Sequence, residues 1–257
     1  MKVPSEENKG AGVKKYLPLL LLAMVFASFF IFGLDDYLTF KALSDNRDRL
    51  LSFVENHYLV ALGLYFILYT ILVAASVPGG LLLTVSGGFL FGWIIGGTLA
   101  VFAATVGAAL LFLIAATSLG AALHKKAGPW LTKLEDGFKD NAMSYLLFLR
   151  LVPAFPFWLV NIAPAFLGVP MRTYIIGTFF GIIPGTMVFA SLGTGLDSII
   201  VEQQDKFAKC QESGEIGCAM TFDVGSLVTK EIILSFVALG VISLLPILIK
   251  RLRKAQH

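Results

Sequence analysis

The sequence predicts an all-α polytopic membrane protein: an inverted repeat of two broken re-entrant hairpins, each followed by a transmembrane helix, with transmembrane helices flanking both ends. Three observations predict it. Of the 257 residues, 57% are hydrophobic and only 14% are charged, well below the quarter or so that coats a soluble domain. No Asp, Glu, Lys or Arg occurs from Asn56 to His124, whereas a spanning helix needs only about 20 apolar residues. This block and a second, Asn141 to Leu196, are interrupted by Pro and Gly at matching places. With a mean hydropathy of +0.81, disorder, collagen, a disulfide mini-protein and an ordinary soluble enzyme are excluded. The net charge of +3 is spread along the chain, so nucleic acid is not an expected partner.

Residues 1–15 form a basic N-terminal segment ending in Lys14 and Lys15. Residues 16–34 are uncharged and about one span long. Their length, and the lack of an Ala-x-Ala-like exit, favour an uncleaved helix over a signal peptide. Residues 35–57 are an external loop. There Phe40, Leu43, Leu50, Leu51 and Val54 share one helical face, opposite Asp45, Arg47, Asp48 and Arg49, as in a helix lying in the membrane interface.

Residues 58–119 make the first repeat and 144–196 the second. The first breaks at Ser76-Val77-Pro78-Gly79-Gly80 and at Ser86-Gly87-Gly88. The second breaks at Val152-Pro153-Ala154-Phe155-Pro156 and at Ala163-Pro164. Pro removes a backbone donor, and lipid cannot satisfy the groups a break sets free. Such backbone survives only inside protein or beside a wet cavity. Val77-Pro78 corresponds to Val152-Pro153, Phe91-Gly92 to Leu167-Gly168, and Gly107-Ala108 to Pro184-Gly185. Between the repeats, residues 120–143 form a cytoplasmic loop in which Trp130, Leu131, Leu134 and Phe138 again line one face after Pro129.

Residues 197–231 are an external loop, 232–249 a last span, and 250–257 a basic cytoplasmic tail. If each hairpin returns to its own side, the two enter from opposite faces, the inverted-repeat plan of many transporters. Lys and Arg counts in successive loops are 4, 3, 4, 3 and 4, which gives cytoplasmic termini by the positive-inside rule. Cys210 and Cys218 are the only cysteines, both in the loop 197–231, which carries seven acidic residues against three basic ones. Two cysteines in one exported loop point to a disulfide; two free thiols without a role are the alternative. His57, His124 and His257 are isolated, so no metal is expected, and no cofactor.

Arg150 is the sharpest candidate. It stands in an apolar run beside the second break, where a guanidinium is costly and faces a cavity or a partner. Its planar fork suits phosphate, and neither block contains an acid to pair with it. The alternatives are that it caps carbonyls freed by Pro153 or snorkels to the cytoplasmic surface. Asn161, near the tip of the same hairpin, and Ser86, in the matching place of the first, are the other headgroup candidates, with Thr84 close by. Each can equally serve only to satisfy broken backbone. Arg172 reads as an interfacial anchor. No Walker, G-x-S-x-G, H-E-x-x-H or Rossmann motif occurs, and no catalytic pair lies within the blocks, so an enzyme is not expected.

The run Phe148-x-Arg150-x-x-Pro153-x-x-Pro156, followed by Asn161, Gly168 and Gly181-x-x-Pro184-Gly185, resembles the DedA and VTT-domain superfamily, which includes the SNARE-associated Golgi protein family. Within it, the bacterial branch related to the yeast Golgi Tvp proteins is the nearest in appearance. Pro78-Gly79-Gly80 to Gly92 is similar to the family's first hairpin, and the resemblance covers roughly residues 58–200. It implies two facing re-entrant hairpins and movement of phospholipid or undecaprenyl phosphate by a flippase or scramblase. It also makes Arg150 the motif arginine, Pro153 and Pro156 the motif prolines, and Asn161 and Gly168 the residues that follow.

The chain departs from the family in two places. The first break has no acid, and Ala116 to Gly120 has no late arginine. Both count against proton-coupled export and favour a passive lipid path. The expectation is a lipid flippase or scramblase of a bacterial inner membrane. Its partners would be membrane lipids, with self-association left open. An ion-coupled small-solute transporter and a non-transporting membrane organiser are the rivals. The hairpin breaks expected to shape the site are Pro78, Gly79, Gly80, Pro153, Pro156, Pro164 and Gly168.

Overall fold

The computed structural model describes residues 9–118, 129–152 and 155–196, with isolated positions between 209 and 244. The described chain is helical throughout, without a strand. Pro153, the cysteine pair Cys210 and Cys218, His124, His257, residues 120–128 of the loop 120–143, most of the loop 197–231, and nearly all of the expected last span and tail lie outside the described residues.

Helix α1 (Lys9–Ile31) is followed by a 3-10 turn at Leu34–Tyr37. The expected single interfacial helix is two short ones, α2 (Phe40–Asp45) and α3 (Arg47–Asn56). Thr39 starts α2 by accepting the Ala42 N–H on its hydroxyl, an ordinary N-cap. Asn46 leaves the helical region between the two, and its amide donates back to the Ala42 carbonyl. At His57 the chain turns by 119° into α4 (Tyr58–Ala74).

Helix α4 ends in a Schellman motif: Val77 N–H bonds the Leu72 carbonyl and Ser76 N–H that of Val73. Ser76 holds the left-handed position at φ 56°, one usually left to glycine. After Gly79, at φ 134°, the chain starts α5 (Gly80–Phe91). This helix runs back along α4: Tyr58 packs against Phe91, Tyr65 donates to the Leu83 carbonyl, and Tyr69 meets Thr84. Gly92, at φ 77°, reverses the chain into α6 (Trp93–Ser118).

The second half has the same order. Helix α7 (Pro129–Leu151) is kinked at Asn141, where φ is −143° and ψ 39°. It ends at Leu151, the short α8 (Phe157–Phe166) starts after Pro156, and Gly168 at φ 68° turns the chain toward α9 (Met171–Thr194). Val169 N–H bonds the Pro164 carbonyl, a second Schellman contact.

Two expected breaks are not breaks. Gly87 and Gly88 lie inside α5 and are buried; the turn comes at Gly92. Their missing side chains serve close packing, since a Cβ on Gly88 would overlap the Ala190 carbonyl of α9. Gly193 does the same in reverse, lying against the Val85 carbonyl of α5. Pro164 likewise lies inside α8, which continues to Phe166 and stops at Gly168. It falls in the last turn, where the lost donor interrupts little helix.

Among the described helices, α6 (26 residues) and α9 (24 residues) are long and apolar enough to cross a membrane, and the bent pair α3–α4 adds a third if it acts as one span. The apolar part of α1, Leu17–Ile31, is shorter. The core lies where α6 and α9 pack on each other and on α4 and α5; Pro78, Gly79 and Gly80 of the first break, and Arg150 and Phe157 flanking the second, line one cavity.

Candidate functional site

Arg150 sits one residue before the end of α7, where a cation is favoured by the helix dipole. Its stem passes over Gly181 of α9; a Cβ there would come within 2.8 Å of the Arg150 Cβ. The guanidinium then meets three side chains. Nη1 donates to Asn161 Oδ1 at 2.8 Å, and Nη2 donates to Tyr174 Oη at 3.0 Å and Thr178 Oγ1 at 2.9 Å.

Asn161 comes from α8, while Tyr174 and Thr178 stand one turn apart on α9, a spacing that puts both on one face. All three are essentially fully buried. Tyr174 passes its own proton on to Asn161, to Oδ1 at 3.3 Å or the carbonyl at 3.4 Å. Its ring stacks on Phe112 of α6 with centroids 4.4 Å apart and lies 5.6 Å from the guanidinium carbon. Arg150 therefore ties α7, α8 and α9 together, with α6 behind.

The partners are neutral. They satisfy three of the five N–H groups of the fork, and Arg150 Nε and Asn161 Nδ2 are buried without a partner. Arg150 has no acidic partner among the described residues; the one ion pair there is Arg47–Asp48. The bonds run to side chains, so Arg150 is not acting as a cap on freed carbonyls. Arg172 is exposed at the start of α9.

Arg150 lines a cavity of about 440 Å³, within the range of small-molecule sites. The first break lines the same cavity through Pro78, Gly79 and Gly80, together with Tyr69 and Thr84. Phe157, the first residue of α8, and Gly185 and Thr186 of α9 also line it. The wall is mostly apolar. Helix α5 begins there without a side-chain cap, so its first-turn N–H groups and positive dipole end lie at the cavity wall.

Thr84 donates to the Gly80 carbonyl at 2.7 Å and meets Tyr69 Oη at 2.9 Å. Ser86 lies elsewhere on α5, outside both the cavity wall and the Arg150 network. Asn161 reaches Arg150 directly but is not part of the cavity wall. Of the proline and glycine positions, Pro78, Gly79 and Gly80 line the cavity. Pro156 caps α8 and Gly168 ends it. Tyr69, Tyr174 and Thr178 are absent from the sequence reading. The one signal for the last two is their four-residue spacing in an otherwise apolar helix.

A polytopic helical membrane protein with a charged, partly enclosed cavity between two helix breaks is the class this structure defines. The family model described as the VTT domain matches residues 77–195, the stretch that contains the cavity and the Arg150 network. The chain is 33% identical over 221 residues to the Transmembrane protein 41 homolog of Dictyostelium discoideum, covering 84% of this chain and 59% of the relative. It is 30% identical over 155 residues to the homolog of Caenorhabditis elegans, covering 59% and 63%. With Transmembrane protein 41B of Gallus gallus, identity is 26% over 211 residues, covering 74% and 77%. The chain thus belongs to the VTT-domain superfamily that includes DedA. It spans about three-fifths of the length of the first two relatives. No solved structure matches it.

Proposed function

We propose that the protein is a lipid flippase or scramblase, not an enzyme, and that it moves a phosphate-bearing lipid past Arg150. The carrying observation is a guanidinium with neutral protein partners and unused N–H groups at the wall of a cavity between two helix breaks. A charge in such surroundings is costly unless an anion meets it. A phosphate matches the fork, and the uncapped start of α5 at the same cavity adds favourable field. The acyl or prenyl chain stays in lipid while the headgroup crosses.

In this proposal α4–α5 and the end of α7 with α8 are two re-entrant hairpins of an inverted repeat. The recurring order supports it: helix, break, short helix, a glycine at positive φ, then a long apolar helix. The location that goes with it is a bacterial inner membrane with cytoplasmic termini. The basic flanks Lys14 and Lys15, and Lys250 to Lys254, support that orientation.

The test is movement of labelled phospholipid and polyprenyl phosphate between leaflets of proteoliposomes. Arg150→Ala is expected to slow it at least tenfold, as the loss of one charge-assisted contact would. A variant that elutes as one species and keeps its helical signal yet moves lipid at the wild-type rate would refute the role of Arg150. A folded wild type that moves no lipid would refute the transport proposal.

A further inference from the structure

Arg150 is not the only polar residue of the cavity wall: Tyr69 and Thr84 line the same cavity and carry their own chemistry. A threonine hydroxyl has one proton, and Thr84 gives it to the Gly80 carbonyl at 2.7 Å. In the 2.9 Å contact between Tyr69 and Thr84, the donor is therefore Tyr69. Its only proton is committed, and its oxygen keeps acceptor capacity at the cavity wall. On the wall of the same cavity Arg150 offers only donors, with Nε unpartnered. One residue gives hydrogen bonds and the other takes them.

Charge narrows the ligand further. Among the described residues lining the cavity none is acidic and Arg150 is the one cation. An ammonium group would find no counter-charge, whereas a molecule of net negative charge would be matched. We infer that the cavity selects an anionic headgroup bearing hydroxyls beyond its phosphate, as in phosphoglycerol, with the phosphate on Arg150 and a hydroxyl donating to Tyr69. This rests on the headgroup reading above and adds the selectivity to it. The rings of Tyr69, Phe157 and Phe189 also line the cavity, and aromatic rings can hold a quaternary ammonium; phosphocholine is therefore the competing ligand.

Short-chain lipids test this in detergent, by calorimetric titration of the full chain. Dihexanoyl phosphatidylglycerol and dihexanoyl phosphatidylmethanol carry the same charge but only the first has free hydroxyls. Wild type is expected to bind the first roughly fivefold more tightly, the value of one net hydrogen bond. Tyr69→Phe should abolish that difference. Tyr65→Phe should preserve it, because that hydroxyl donates to the Leu83 carbonyl one turn away and Tyr65 does not line the cavity. Arg150→Ala should weaken both lipids alike.

Equal binding by wild type, a preference that survives in Tyr69→Phe, or tightest binding of the dihexanoyl phosphatidylcholine would overturn the selectivity and leave the headgroup reading standing. Free glycerol phosphate binding as tightly as the lipid would identify a soluble ester as the ligand and overturn the lipid assignment. No binding of any of the four overturns both.

Discussion

The break after α4 and the break after α7 border one cavity, yet their polar groups are satisfied in different ways. At the first, two neutral hydroxyls and a carbonyl close on each other within one helical hairpin: Tyr69 to Thr84, Thr84 to Gly80. At the second, a cation reaches across two other helices to Asn161, Tyr174 and Thr178. The first cluster is local in sequence and commits both of its hydroxyl protons, with Ser76 Oγ of the same break buried without a partner; the second is long-range and leaves Nε of Arg150 and Nδ2 of Asn161 without partners. Local closure suits a wall that can only accept. A cation held by neutral oxygens suits a group that must exchange partners, because a neutral acceptor can be displaced by an anion at lower cost than a carboxylate.

Helix α5 lies directly on α9, and both helices line the cavity. Gly88→Ala puts a methyl group into the Ala190 carbonyl, which backbone cannot yield cheaply, and should cost about 3 kcal/mol. Thermal unfolding in detergent is expected to show the largest loss of this set, with both clusters disturbed together. Gly63→Ala on α4, which meets nothing within 4 Å, is the matched control and should change little. Equal melting temperatures for the two variants would show that the α5–α9 contact is looser than the structure has it.

The second effect in size separates the two breaks. Asn161→Leu keeps the branched shape, at some gain in volume, but removes the acceptor of Arg150 Nη1 and one acceptor of Tyr174. A buried charge-assisted bond is lost with the charge still in place, and the expected cost is about 3 kcal/mol at most, below that of Gly88→Ala. The same variant frees the guanidinium from α8. If lipid movement persists while the melting temperature falls, Asn161 is a structural partner. If movement falls further than stability accounts for, it positions Arg150.

What the sequence could and could not announce follows from the same contrast. Arg150 was legible because a lone charge in an apolar run is expensive wherever it points. The breaks at residues 76–80 and 152–156 were legible as proline and glycine in segments of the wrong length for spans. Gly87, Gly88 and Pro164 were misread as breaks because glycine in a membrane helix serves either turning or close approach, and only the neighbouring helix decides which. Gly88 faces a carbonyl of α9, more than a hundred residues away in the chain. Tyr174 and Thr178 escaped notice for a related reason. Beside Arg172 they resemble an interfacial belt, and only the packing of α7 on α9 turns them toward Arg150. Ser86 was placed by analogy between the halves, and the first half puts its hydroxyl at Thr84 instead.

Thr84→Val gives the smallest expected effect and the finest test of the contrast. It removes the hydroxyl that accepts from Tyr69 and donates to Gly80. No charge is stranded. Tyr69 Oη already lies 3.4 Å from the Gly80 carbonyl and can turn its proton there. Interhelical hydrogen bonds inside membrane proteins average about 0.6 kcal/mol, and the melting temperature should fall by no more than that implies. A loss as large as that of Asn161→Leu would mean that the first break is as strained as the second, with Ser76 at positive φ as the place to look. A small loss would leave the asymmetry where the chemistry puts it, with a neutral cluster that can repair itself facing a cation that cannot.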